Sequence, residues 1–174
     1  SLGALPYMLH NAGSAVVATN FQFGAIEVIA PATQYINMGI TLVFLIFLSI
    51  LALMRLRGSL ETVAPSHVML LIVLMSMLTS RVLSPQYNLW VLGLLAVAAF
   101  DPMPHFRSIC ALLMASAFCG QLLYPWLYVS FQQGGVIPTA IHTIRIVCLV
   151  AATYLVAKAT MRPGPAPSIS SALD

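Results

Sequence analysis

Apolar residues do not alternate along this chain; they run. Residues 36–54 form a stretch of 19 without a charge. As a helix it is long enough to cross about 30 Å of hydrocarbon, and Arg55, Arg57 and Gly58 end it. A second uncharged run covers residues 63–80, with Pro65 near its start, where proline is tolerated, and Arg81 stops it. Residues 108–130 and 137–157 predict two further spans, the last containing His142 and Arg145. Between the runs 63–80 and 108–130 lie residues 88–100, only 13 long. Such a helix reaches about 20 Å, too short to cross unaided. It must borrow residues 82–87 or sit tilted and partly buried. The pattern predicts an all-α integral membrane protein: a polytopic helical bundle of four to five spans over residues 36–158, with one short or broken helix.

The two ends read differently. Residues 1–10 are apolar and resemble the end of a helix. The stretch Phe21-Gln22-Phe23-Gly24-Ala25-Ile26-Glu27-Val28-Ile29 has strand-like composition and is closed by Pro31. Residues 1–35 are expected to form an outward-facing loop segment packed on the bundle. Residues 159–174, rich in Pro, Ser and Ala, are expected to be a disordered cytoplasmic tail. The chain opens on Ser1 rather than Met and lacks the basic start of a signal peptide, so it reads as a piece of a longer or processed protein. No internal repeat or heptad is visible.

Composition narrows the class. The 174 residues are 60% hydrophobic and 6% charged, against roughly 25% charged in a soluble domain. The mean hydropathy is +0.97. A soluble globular enzyme, a disordered tail and a nucleic-acid module are excluded. The net charge of +3 needs no acidic partner, because cytoplasmic membrane loops are routinely basic. Alternating the spans gathers Arg55, Arg57, Arg107, Lys158 and Arg162 on one side and leaves Arg81 on the other. That asymmetry puts residues 55–62, 101–107 and the tail in the cytoplasm, with residues 1–35, 81–87 and 131–136 outward. The expected location is a cell membrane crossed several times, a bacterial plasma membrane. Cys110, Cys119 and Cys148 all fall in apolar runs and read as packing residues, not as a disulfide framework or a metal site. No metal or cofactor motif is present.

In so apolar a chain the few polar groups carry the information. A charge at membrane depth costs about 2.5–3.5 kcal/mol on insertion scales, so it has a task or a partner. Arg81 opens the most polar segment between any two spans, where Ser84, Gln86, Tyr87 and Asn88 all offer hydrogen bonds. Pro85 removes a donor and pushes Ser84 out of helical geometry. A helix broken there is tolerated only beside protein or a water-filled cavity, which suits a binding site for a polar headgroup. The alternative is an interfacial turn, with Arg81 snorkelling and Tyr87 and Trp90 forming an aromatic belt.

Arg145 lies two turns inside its span, with His142 on the same face. It approaches the outer leaflet that Arg81 reaches, and two guanidinium groups at one level can clamp a lipid phosphate. Arg145 snorkelling on its own is the competing reading. Glu27 reads as a solvated loop residue, a partner for either arginine, or a general base. His10, His67 and His105 receive no role, and Asp101 with Pro102 and Pro104 reads as a cytoplasmic turn.

The segment Arg81-Val82-Leu83-Ser84-Pro85-Gln86-Tyr87-Asn88-Leu89-Trp90 resembles the "K/R-V-x-SPQYLLWLL" signature of glycosyltransferase family 87. These are GT-C-class membrane enzymes that use polyprenyl-phosphate-mannose. The likeness covers about ten consecutive residues and departs mainly at Asn88, where the family carries an apolar residue. Weaker likenesses are Phe23 to Pro31, similar to an "aromatic-G/S-x-x-E-V-x-x-P" segment, and Ser1 to Leu5, similar to the end of an "ES-L" element. The resemblance covers roughly residues 1–100 and implies the C-terminal transmembrane part of a GT-C enzyme. It implies transfer of a hexose, mannose by analogy, from a polyprenyl-phosphate donor to a glycolipid or glycan acceptor at the outer face. Arg81, Ser84, Gln86, Tyr87 and Arg145 would then bind substrate, with Arg81 on the donor phosphate. The catalytic acid of such enzymes lies in an early outward loop that this chain lacks, so no residue here is assigned catalysis. A transporter or flippase segment, and a small membrane scaffold without chemistry, are the alternatives.

Overall fold

The structure, a computed structural model, describes residues 18–22, 25–29, 33–80, 83, 86–133 and 135–161. It opens with two antiparallel strands, β1 (Ala18–Gln22) and β2 (Ala25–Ile29), paired from Ala18 opposite Ile29 to Gln22 opposite Ala25. The strand-like composition of this stretch is therefore realised as a hairpin instead of the expected loop. Glu27 stands opposite Asn20 in its ladder. Residues 1–17 and 162–174 lie outside the described residues; of the tail expected to be disordered over 159–174, residues 159–161 instead complete the last helix, Val136–Met161, and the rest is not described.

Helices follow: α1 (Thr33–Leu56), α2 (Pro65–Thr79), α3 (Tyr87–Ala98), α4 (Phe106–Gln121), a wide π-type stretch Leu122–Leu127, α5 (Tyr128–Gln132) and α6 (Val136–Met161). Among the described residues, three helical segments are long and apolar enough to cross a membrane: Tyr35–Leu56, Phe106–Phe131 and Val136–Met161. The other two fall short. At 15 and 12 residues, α2 and α3 reach about 22 and 18 Å. The expected second span is thus trimmed at both ends, and α3 begins at Tyr87, with Gln86 in a turn and Leu83 outside any helix.

Each boundary has a local cause. Gly58, at φ +75°, closes α1 with paired bonds from its own N–H to Arg55 O (3.1 Å) and from Ser59 N–H to Met54 O (3.0 Å). This is a Schellman cap, which needs the left-handed conformation glycine adopts without a Cβ penalty. Pro65 occupies the first position of α2, where its missing N–H costs nothing. The span expected over residues 108–130 is interrupted: Tyr124 leaves helical geometry (φ −121°, ψ 121°) in front of Pro125, as proline demands of the residue before it. The dipeptide Tyr124-Pro125 was the available signal.

α4 and α6 share the largest interface, α2 packs on both α3 and α6, and α1 rests mainly on α2. The buried face of α6 runs through Thr139, His142, Arg145, Leu149, Ala152 and Val156, and that of α4 through Ile109, Leu113, Ser116 and Gly120. Both follow the three-to-four spacing of a helix stripe. Arg145 lies against Gly120, while Leu149 shares a void with Leu113 and Ala117, so the two helices run antiparallel. At one end of the bundle, His67 Nε2 donates to the carbonyl of Asp101 at 2.7 Å. That bond ties the start of α2 to the α3–α4 turn.

Candidate functional site

Hydroxyl groups in these helices mostly bond to their own backbone. Thr79 donates to Met75 O (2.8 Å), Ser76 to Val73 O (2.7 Å), Thr143 to Thr139 O (2.8 Å), Thr153 to Leu149 O (2.7 Å) and Thr160 to Val156 O (2.8 Å). In an apolar bundle this is the cheapest way to satisfy a hydroxyl. The exceptions therefore stand out. Among the described residues, the buried side-chain atoms without a hydrogen-bond partner are Arg145 Nε and Nη2, Ser116 Oγ and Asn88 Nδ2.

Arg145 is the centre of this group. It is only 3% exposed, although guanidinium groups are almost never fully buried without a partner. Its Nη1 donates to the carbonyl of Leu83 at 3.2 Å. Its remaining donors lie against Gly120 on α4: a Cβ added there would stand 3.1 Å from Cζ, 3.2 Å from Nε and 3.3 Å from Nη2. Glycine at this position makes the room the guanidinium fills. Ser116, one turn earlier on the same face, is 1% exposed.

Depth follows from the helix rise. Arg145 is the tenth residue of α6, about 13 Å along the axis from Val136. Because it bonds to Leu83, this residue of the α2–α3 connection lies below the N-terminal end of α6 and not level with it. The shortness of α2 and α3 has the same consequence. Leu83 thus sits within the length of the longer helices, a depth at which irregular backbone needs protein or water beside it.

A partly open cleft of about 290 Å³ adjoins this turn. Phe44 from α1, Ser76, Met77, Thr79 and Ser80 from the end of α2, and Tyr87 and Trp90 from the start of α3 line it. The Tyr87 and Trp90 rings are 5.1 Å apart and tilted by 35°. Trp90 is 58% exposed. A second void, about 10 Å³, lies deeper beside Asn88, Leu113 and Leu149, the size of a single water.

The residues singled out in the sequence are distributed as follows. Arg81 and Ser84 lie outside the described residues. Gln86 is exposed and immediately precedes α3, its carbonyl accepting from the Leu89 N–H at 3.1 Å. Tyr87 is half-buried in the cleft wall. Arg145 is brought to the Arg81–Tyr87 segment through Leu83. His142 is buried with its ring 5.0 Å from that of Phe131. The side chain of Glu27 lies outside the described residues. Sequence reasoning missed Ser116, Gly120 and the Ser76–Thr79–Ser80 hydroxyls. The i, i+4 pair of small residues at 116 and 120 was a usable signal, since such pairs let helices approach closely. Among the described residues, no group of three His, Cys, Asp or Glu side chains is placed to hold a metal ion.

No family model, curated protein or solved structure matches this chain.

Proposed function

We propose that the chain is the membrane-embedded, donor-binding part of a glycosyltransferase. In this reading a hexose, mannose on the resemblance of the Arg81–Trp90 segment, passes from a polyprenyl phosphate to a glycolipid or glycan acceptor at the outer face of a cell membrane. The observation that supports it most is Arg145. A guanidinium inside an apolar bundle keeps two buried donors uncommitted and is hydrogen-bonded to the segment that carries Arg81, Ser84, Gln86 and Tyr87. Among the described residues, the acidic side chains Glu61 and Asp101 sit in the loops at the opposite end of the bundle and do not balance its charge. An oxyanion supplied by a ligand would, and guanidinium suits phosphate through paired N–H···O bonds.

At 3% exposure Arg145 is closed off, so the packing around it must open for a phosphate to reach it. Arg81, two residues before the Leu83 that Arg145 bonds, would meet the same phosphate. When the sugar leaves, negative charge gathers on the polyprenyl phosphate, and fixed cations stabilise it at the moment it develops. None of the described residues is assigned as the base that deprotonates the acceptor hydroxyl.

The test is binding of polyprenyl-phosphate-mannose to the chain in lipid nanodiscs. Arg145→Gln should weaken binding about tenfold or more, in line with loss of a charge-assisted hydrogen bond, and Arg145→Lys should recover part of it. Equal affinity for all three proteins would overturn the reading. A second reading, passage of an anionic lipid across the membrane, draws on the helix interrupted at Leu122–Leu127 and packed beside α6, since interrupted helices also line transport pathways. Accelerated flipping of a labelled lipid phosphate in proteoliposomes would favour it.

A further inference from the structure

We infer that the cleft between α1, α2 and α3 is a subsite for one neutral, polyhydroxylated group of monosaccharide size. This rests on the donor-binding reading only in identifying that group as the hexose of the donor. The cleft encloses about 290 Å³, at the small end of the roughly 300–1,000 Å³ typical of small-molecule sites. That suits a single sugar ring.

Its walls are chemically divided. On one side, Ser76, Thr79 and Ser80 come from the last turn of α2 and its cap. The hydroxyl protons of Ser76 and Thr79 are committed to Val73 and Met75 carbonyls. Their oxygens therefore keep lone pairs, which accept from ligand hydroxyls. On the other side, Tyr87 and Trp90 present a tilted pair of rings. Aromatic faces carry negative potential, which favours the C–H-bearing, slightly positive face of a sugar ring. A pyranose has both kinds of surface: hydroxyls around its rim and an apolar C–H face. Among the described residues no charged side chain lines the cleft, so a charged head is not what its own walls select.

Position completes the argument. Ser80 and Tyr87 bracket the segment whose Leu83 carbonyl is bonded to Arg145. A sugar in the cleft and a phosphate at Arg145 would therefore both adjoin the same short stretch of chain, as the two halves of a sugar-phosphate ligand require.

The experiment uses the chain in nanodiscs with Trp126→Phe, so that Trp90 is the remaining tryptophan and reports occupancy of the cleft by its fluorescence. The probes are octyl mannoside, which carries a sugar and no phosphate, and octanol, which carries neither. Octyl mannoside should shift the emission saturably. Adding Ser76→Ala with Thr79→Val should weaken that binding about tenfold while octanol behaves identically with both proteins, which also shows that the bundle is intact. No response to octyl mannoside, or equal binding before and after removal of the hydroxyls, would overturn the subsite. If the mannoside binds as expected but Arg145→Gln leaves the affinity for polyprenyl-phosphate-mannose unchanged, the phosphate reading fails and the sugar subsite stands.

Discussion

Arg145 and Gly120 are matched residue to residue, and the match has a measurable sign. An alanine at 120 would put its Cβ 3.1–3.3 Å from three guanidinium atoms. The arginine must then give way, and its 3.2 Å bond to Leu83 is already near the limit of useful length. Gly120→Ala should destabilise the chain by about 1 kcal/mol, at the low end for overpacking. Gly39 and Gly93 lie inside helices with nothing within 4 Å of the added Cβ. There alanine should stabilise by about 0.5–1 kcal/mol through helix propensity. Thermal unfolding of the three variants in one detergent checks the contrast; a rise for Gly120→Ala like the other two would show that the guanidinium does not occupy this space. Of this site the sequence displayed Arg145, because a lone cation in an apolar run is conspicuous. The small pair Ser116 and Gly120 hinted at a close helix approach, but not that a neighbouring helix presents a guanidinium to it.

At the scale of elements, punctuation decided more than hydropathy. Gly58 marked the end of α1 in the sequence and does end it, through a cap that requires its positive φ. Gly58→Ala should therefore cost about 1 kcal/mol, the penalty of a left-handed L-residue, seen as a lower unfolding temperature with no loss of helix content by circular dichroism. Pro65 likewise opened α2 where expected. Hydropathy was the poorer guide. The uncharged run over residues 63–80 overstated α2, because its first and last residues are apolar or small but not helical. The run over residues 108–130 concealed the interruption at Tyr124, which depends on backbone geometry before Pro125 and not on polarity. The strand-like stretch before α1 paired with its neighbour as a hairpin, a partner that composition alone did not reveal.

At the scale of the whole molecule, the short helices α2 and α3 leave a recess beside longer ones, and the candidate site occupies it. Arg55, Arg107 and Lys158 cluster at one end of the antiparallel bundle, while Tyr35, Tyr87, Trp90 and Trp126 belong to the opposite half. If this charge asymmetry sets the orientation as positive-inside insertion predicts, a membrane-impermeant maleimide added to intact cells should label Gln133→Cys and spare Ser59→Cys, each in a background without the three native cysteines. The reverse pattern would invert the topology and place the recess on the cytoplasmic face. The sequence by itself determined that the chain is apolar, helical and built from segments of membrane-spanning length, because those properties depend on residue type and run length alone. Tertiary structure decided which polar groups matter. A buried donor is satisfied or orphaned only by what another helix brings to it, and that is how Arg145 came to lie under the Leu83 carbonyl with two donors free.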